Sequence, residues 1–137
     1  MSKAIPKPLK KKTAVRAAYK CEYCRLTETV SFYTFHTDHI ISTKHHGLTI
    51  LSNLAYSCPD CNFFKGSDVA TFVAGSTQLV RFFNPRKDVW SDHFQLLEAA
   101  IYGKTEIGVA TERIFKFNEP ERLIFRKQLF ALSLYPQ

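Results

Sequence analysis

Four cysteines stand in two closely spaced pairs, Cys21/Cys24 and Cys58/Cys61. A C-x-x-C spacing lets both thiolates point at one ion, and structural Zn²⁺ takes four soft ligands in a tetrahedron. The N-terminus has no apolar segment that would direct secretion. We therefore expect a cytoplasmic, reducing compartment, where paired C-x-x-C motifs indicate metal binding. The alternatives are two local redox or disulfide pairs, or buried free thiols. The cysteines predict one closed structural zinc site.

A second group of polar residues lies between and just after the cysteine pairs. Asp38 and His39 end a segment rich in β-branched and aromatic residues, 29–40, which predicts a strand or hairpin. A carboxylate and an imidazole can supply a metal ligand and a general base, but both reach one site only if the strand ends or bends there. Asn62 and Lys65 are three residues apart and share a helix face. The carboxylate of Asp38 and the amide oxygen of Asn62 are ligands that suit Mg²⁺ or Mn²⁺.

Short elements must position these groups. Pro59 suits a first helical turn and Gly66 a helix end, so the second cysteine pair is predicted to begin a helix. Residues 53–57 predict a short strand, and residues 41–52, which lack periodicity, predict a loop. The later elements are predicted as a weak helix or turn at 68–73, a strand at 79–83, a strand or helix at 93–102, and helices at 105–117 and 119–135.

Length and composition indicate one globular domain, with 137 residues, 45% hydrophobic and 23% charged. No stretch of 18 apolar residues is present. We therefore expect neither a transmembrane helix nor a membrane partner. The predicted organisation is a flexible basic arm over residues 1–13 and a single domain over 14–137. Within that domain we place a core at 15–66 and an accessory C-terminal part at 67–137.

The net charge of +7 is concentrated near the N-terminus, since residues 1–20 carry seven basic side chains and no acidic one. Pro6, Pro8 and the lysine run predict that this arm is not helical. A basic arm predicts contact with the phosphates of a nucleic acid without reading of its sequence. The alternative is a solubilising tail.

The pattern as a whole resembles that of the stand-alone bacterial HNH endonucleases of the zinc-knuckle type, which are ββα-metal (His-Me) finger nucleases. Their motif runs C-x-x-C, D-H-I, H-G-G or similar, N-L, and C-x-x-C-N-x-x-K-G. The matching positions here are Cys21, Cys24, Asp38-His39-Ile40, His45-His46-Gly47, Asn53-Leu54, and Cys58 to Gly66. The chain departs from the motif at His46, where many relatives have glycine, and at Ser42, where many have proline or alanine.

The resemblance implies an α+β fold: a ββα finger stabilised by the zinc site, with additional strands and C-terminal helices. It implies that His39 is the general base that takes a proton from the attacking water. Asp38 and Asn62 would hold the catalytic Mg²⁺ or Mn²⁺. Asn53 would brace the loop and orient the histidine, and Lys65 would neutralise phosphate charge.

The function predicted from these features is metal-dependent hydrolysis of phosphodiester bonds in DNA, with double-stranded DNA as the expected partner. A zinc-ribbon module that binds nucleic acid without cutting it is one alternative, and a purely structural zinc module in a larger assembly is another. Residues 83–94, which contain Phe83-Asn84-Pro85-Arg86 and Trp90, resemble a segment that follows the nuclease core in small bacterial relatives. This segment is predicted to contact nucleic acid or to form a structural corner.

Overall fold

The computed structural model describes residues 4–137, and the chain divides into two compact units, Met1–Val69 and Ala70–Gln137. The predicted α+β class is confirmed: residues 4–137 form five helices and three two-stranded antiparallel sheets. The predicted single domain over 14–137, with its core and accessory part, stays a prediction. No helix within residues 4–137 is long and apolar enough to cross a membrane.

The predicted flexible arm is wrong for residues 7–13, which belong to helix α1 (Lys7–Arg16); residues 1–3 of that arm lie outside the described part of the chain. Proline does not prevent this helix, because Pro8 stands in the first turn, where a backbone N–H has no intrahelical partner in any case. The helix is then held by tertiary contacts, since Thr13 is fully buried and α1 packs against both strands of the first unit.

The centre of the first unit is a strand–strand–helix finger. Strand β1 (His36–His39) pairs antiparallel with β2 (Leu54–Ser57), and β2 is buried along its whole length. Helix α2 (Pro59–Lys65) follows β2 directly, with Pro59 in its first turn and Gly66 after its last residue, as the sequence predicts. Gly66 has a positive φ of 52°, a conformation that glycine adopts at little cost.

Strand β1 is shorter than the predicted strand at 29–40. Residues Glu28–Val30 form a 3₁₀ turn, and the carboxylate of Glu28 accepts hydrogen bonds from the backbone N–H of Phe35 and the hydroxyl of Tyr56, both at 2.7 Å. A side chain therefore supplies the hydrogen bonds that a strand partner would otherwise supply.

The second unit contains two hairpins and three helices. Its strands and helices are β3 (Ala70–Phe72), β4 (Leu79–Arg81), α3 (Trp90–His93), β5 (Phe94–Leu97), β6 (Ala100–Gly103), α4 (Glu106–Phe115) and α5 (Pro120–Ala131). β3 pairs with β4 and β5 with β6. The predicted turn or weak helix at 68–73 is therefore wrong, because pairing across the hairpin makes Ala70–Phe72 a strand. The ambiguous segment 93–102 is mostly the β5–β6 hairpin.

An ion-pair corner joins β4 to the segment after it. Arg81 donates to both carboxylate oxygens of Asp88, at 2.7 and 2.9 Å, and Asp88 also accepts from the backbone N–H of Asn84. The hydrogen bond from Arg81 is the main reason why the pKa of Asp88 lies below its usual value, with a smaller lowering from Asn84. Trp90 is buried and packs on Phe94. These contacts support the structural-corner interpretation of this segment.

Candidate active site and metal centre

The four cysteines form one buried cluster in which all Sγ atoms lie within 4.8 Å of one another. The Sγ atoms of Cys24 and Cys58 are 3.6 Å apart, close to the edge of about 3.8 Å that a tetrahedron with Zn–S bonds of about 2.3 Å requires. Within each pair, the backbone N–H of the second cysteine donates to the Sγ of the first. The cluster is therefore positioned to hold a metal ion, and its thiolates suit Zn²⁺.

The cysteine cluster is tied to the finger on both sides. The backbone N–H of Glu22 donates to the carbonyl of Tyr56, and the carboxylate of Glu22 accepts from the N–H of Tyr56, both at 2.9 Å. On the other side, Cys58 is the residue that caps α2, through its bond from Cys61. A metal in this cluster would therefore hold the segment of Cys21 and Cys24 against the chain between β2 and α2.

Lys65 joins the two neighbouring residues at the end of β1. Its Nζ lies 2.9 Å from Asp38 Oδ2 and donates to the backbone carbonyl of His39, also at 2.9 Å. Burial raises the pKa of Asp38, and the charge and hydrogen bonding of Lys65 oppose that rise. The side chain of Lys65 is only 2% exposed, so it has almost no surface with which to touch a phosphate. The predicted role of Lys65 in neutralising phosphate charge stays a prediction, and direct contact with a phosphate would require Lys65 to leave this buried position.

His39 is 4% exposed, and its Nε2 lies 2.9 Å from the hydroxyl of Thr49. Burial is the largest influence on its pKa and lowers it. The positive charge of Lys65 lowers it further, and the carboxylate of Asp38 opposes both. The neutral imidazole is therefore the favoured form at pH 7, which is the form that can accept a proton. Thr49 lies in the loop predicted at 41–52, and no motif in the sequence points to it.

Asn53 joins the two ends of this loop. Its Oδ1 accepts from the N–H of Ile41, and its Nδ2 donates to the carbonyls of Ile41 and Leu48, each at 2.9 Å. These contacts go to the loop backbone and brace the segment that carries Thr49.

The loop also depends on a close backbone approach at Gly47. A Cβ on this residue would stand 1.6 Å from the carbonyl oxygen of Ile41 and 2.9 Å from Nδ2 of Asn53. The preceding residue, His46, has a φ of 68°, which explains why glycine suits that position in many relatives of the motif.

Gly47→Ala is expected to destabilise the first unit by about 1–3 kcal/mol, the usual cost of forcing extra atoms into a packed site. The backbone must move to admit the methyl group, so any activity that uses His39 and Thr49 should fall as well. Thermal unfolding of the variant measures the first effect. Gly75→Ala is the comparison variant, because nothing lies within 4 Å of its Cβ position. Since Gly75 has a positive φ, this variant measures the cost of backbone strain without a steric clash. Equal stability of the parent and Gly47→Ala would contradict the prediction.

Two cavities meet at the same three side chains: Asp38, His39 and Asn62 line both of them. The first, of about 320 Å³, is completed by Ser42, Thr43, Lys44, Gly66 and Ser67. The second, of about 310 Å³, is completed by Ala4, Ile5, Lys10, His36 and Thr37. β1 ends at His39. Because the strand ends there, the neighbouring residues Asp38 and His39 can both reach one site, as expected from the sequence. The buried Lys65 contacts Asp38 and the backbone of His39, and Asn53 is hydrogen-bonded to the loop backbone.

The sequence missed several residues of this site. The first cavity is lined by Thr43, Lys44 and Ser67, and Thr49 contacts His39. These are common polar residues, and only the fold brings them to the site. Asp38 Oδ2 is buried, with Lys65 as its ionic partner at 2.9 Å. A buried carboxylate beside the amide of Asn62 is a donor set that suits a hard divalent cation.

In a comparison with known families, residues 21–68 match the family model described as HNH endonuclease. The matched segment contains both cysteine pairs, Asp38, His39, Asn53, Asn62 and Lys65. The resemblance is thereby confirmed for this segment, which is about a third of the chain, and the family consists generally of nucleases. A search of curated proteins finds no match, and neither does a search of solved structures.

Proposed function

We propose that this chain is a metal-dependent endonuclease that hydrolyses phosphodiester bonds of double-stranded DNA at the cavity walls formed by Asp38, His39 and Asn62. One observation carries the proposal. A largely buried imidazole, hydrogen-bonded to a hydroxyl, lines the same cavities as a carboxylate and an amide. A module that only binds nucleic acid has no need for a base beside a metal ligand.

His39 is the general base in this proposal. Thr49 engages Nε2, which leaves Nδ1 as the ring nitrogen for the attacking water. A neutral imidazole can take the proton of that water as the new bond to phosphorus forms. The hydrogen bond to Thr49 also fixes the ring plane, so that the base is oriented before substrate binds.

Asp38 and Asn62 would hold one Mg²⁺ or Mn²⁺. When bound, such a cation stabilises negative charge on the scissile phosphate and on the leaving oxygen. Lys65 keeps its predicted place in the catalytic group, but as a positioning residue: it holds the carboxylate of Asp38 and the backbone of His39 in one arrangement. Asn53 likewise acts through the loop backbone.

The cysteine cluster is proposed to hold a structural Zn²⁺ with no part in the chemistry, because four thiolates leave no open coordination position. The expected location is the cytoplasm, where the thiols stay reduced. The zinc-ribbon binding module is the second candidate, and it is supported by the excess of basic residues near the N-terminus.

Supercoiled plasmid DNA incubated with the zinc-loaded protein should be nicked or cut when Mg²⁺ or Mn²⁺ is added. A mild chelator that removes Mg²⁺ but leaves the thiolate-bound zinc should stop the reaction, and fresh Mg²⁺ should restore it. Zinc content, measured in each sample, separates loss of the catalytic cation from loss of the fold. Tight DNA binding without any cleavage, in either metal, would favour the binding module.

A further inference from the structure

We propose that helix α1 is a wall of the substrate groove and that Lys10, together with His36, binds a DNA phosphate adjacent to the one that is cleaved. This inference rests on the proposed function, and it assigns a binding role to residues outside the HNH motif. It also changes the role expected of the N-terminal basic residues, from a loose electrostatic tail to a defined subsite.

The position of α1 is fixed by contacts with the finger. Arg16 donates from its two terminal nitrogens to the carbonyls of Leu51 and Leu54, at 2.9 and 2.6 Å. Thr13 and Ala14 are buried on the inner side of the helix. These contacts hold the backbone of α1 against the strands β1 and β2.

Lys10 lines the second cavity along with His36, and the same cavity is bordered by Asp38, His39 and Asn62. A cation and an imidazole therefore face a space that is continuous with the proposed catalytic group. The only carboxylate among the lining residues is that of Asp38, which already has Lys65 as its ionic partner. The charge of Lys10 is consequently available to an incoming anion.

Two further lysines of the helix stand near Lys10 in the chain. Lys7 and Lys11 are three residues before and one residue after Lys10, and both are exposed. Lys7 and Lys11 are also four residues apart, so they are neighbours on one helix face. No acidic residue occurs in residues 1–20 to neutralise them. This arrangement favours a polyanionic backbone over a single small anion.

The first cavity shares Asp38, His39 and Asn62 with the second and offers Lys44 with the hydroxyl-bearing Ser42 and Thr43. Hydroxyls and lysines are common partners of nucleic-acid phosphates. A strand that passes from one cavity to the other would place its scissile phosphate at Asp38, His39 and Asn62. Its flanking phosphates would then meet Lys10 on one side and Lys44 on the other.

The test compares Lys10→Gln with Lys12→Gln. Both residues are exposed lysines of α1, and both changes remove one charge, but Lys12 is not among the residues that line either cavity. Binding of a short DNA duplex is measured over a range of salt concentrations without divalent cation, and cleavage kinetics are measured with Mg²⁺. Lys10→Arg serves as the charge-preserving variant, and thermal unfolding checks that each protein is folded.

Lys10→Gln is expected to raise KM about three- to tenfold, with a smaller change in kcat, and to lower the salt slope of binding by about 0.9, the value for one phosphate contact. Lys12→Gln should give a slope near that of the parent, and Lys10→Arg should restore most of the affinity.

Equal behaviour of Lys10→Gln and Lys12→Gln in a protein that cleaves DNA would overturn the subsite and leave the nuclease proposal intact. A parent that binds without cleaving, with the slope lowered only in Lys10→Gln, would support the subsite and overturn the nuclease proposal. A parent that does not bind DNA would overturn both.

Discussion

His39→Ala should lower the rate of DNA cleavage by about 10²–10⁴-fold, the usual contribution of a general base. DNA affinity and zinc content should stay near those of the parent, because the base acts on the water in the transition state and adds little to ground-state binding. The imidazole makes one side-chain hydrogen bond, to Thr49, and no ion pair with Asp38 shorter than 4.0 Å is found within residues 4–137. Its removal therefore leaves the metal ligands and the buried lysine in place. Cleavage of plasmid DNA and duplex binding, measured on one preparation, check this prediction.

Three further variants sharpen the result. His45→Ala, at an exposed loop position that lines neither cavity, is the matched control and should keep its activity. Thr49→Val should lose only about two- to tenfold in kcat, since a net hydrogen bond contributes about 0.5–1.5 kcal/mol. Asn62→Ala should be partly rescued by a higher Mg²⁺ concentration, whereas His39→Ala should not. Parent-like cleavage by His39→Ala would contradict the role of His39 as the general base.

Cys58→Ser is expected to unfold the first unit, Met1–Val69, and not merely to slow cleavage. Structural zinc sites contribute about 10–16 kcal/mol in model zinc fingers, which is comparable to or larger than the total stability of about 5–15 kcal/mol of many domains. Cys58 has a second role, because its Sγ accepts the N–H of Cys61 and caps α2. Its loss therefore affects both the metal and the helix that carries Asn62 and Lys65.

Zinc content and circular dichroism of Cys58→Ser measure the effect, with Asp60→Ser as the comparison. Asp60 is exposed in the first turn of the same helix and is not a thiolate ligand, so its replacement should leave zinc bound and the unit folded. Removal of zinc from the parent with a strong chelator should reproduce the Cys58→Ser phenotype. A Cys58→Ser protein that is folded, soluble and free of zinc would contradict the structural role of the site.

Features that depend on short-range spacing were within reach of the sequence. Each C-x-x-C pair needs only its own turn to direct two thiolates to one side, and Pro59 and Gly66 mark the ends of α2 by their backbone preferences. The adjacency of Asp38 and His39 and the three-residue spacing from Asn62 to Lys65 likewise require only a strand end and a helical turn. For this reason the metal cluster, the second strand and the following helix could all be predicted.

Features that depend on long-range packing were decided by the tertiary structure. The lysine-rich segment becomes α1 because Arg16 and Thr13 make contacts with the finger, which no local pattern reveals. Lys65 is predicted from the sequence to neutralise phosphate charge, and only the fold shows that it is buried against Asp38. Thr49 has no recognisable motif, and the loop braced by Asn53 brings it to His39.

The sequence alone determined which chemical groups this protein has for metal binding and proton transfer. The tertiary structure decided which of them are buried, paired or open to a substrate, because burial and pairing arise between segments that are distant in the chain.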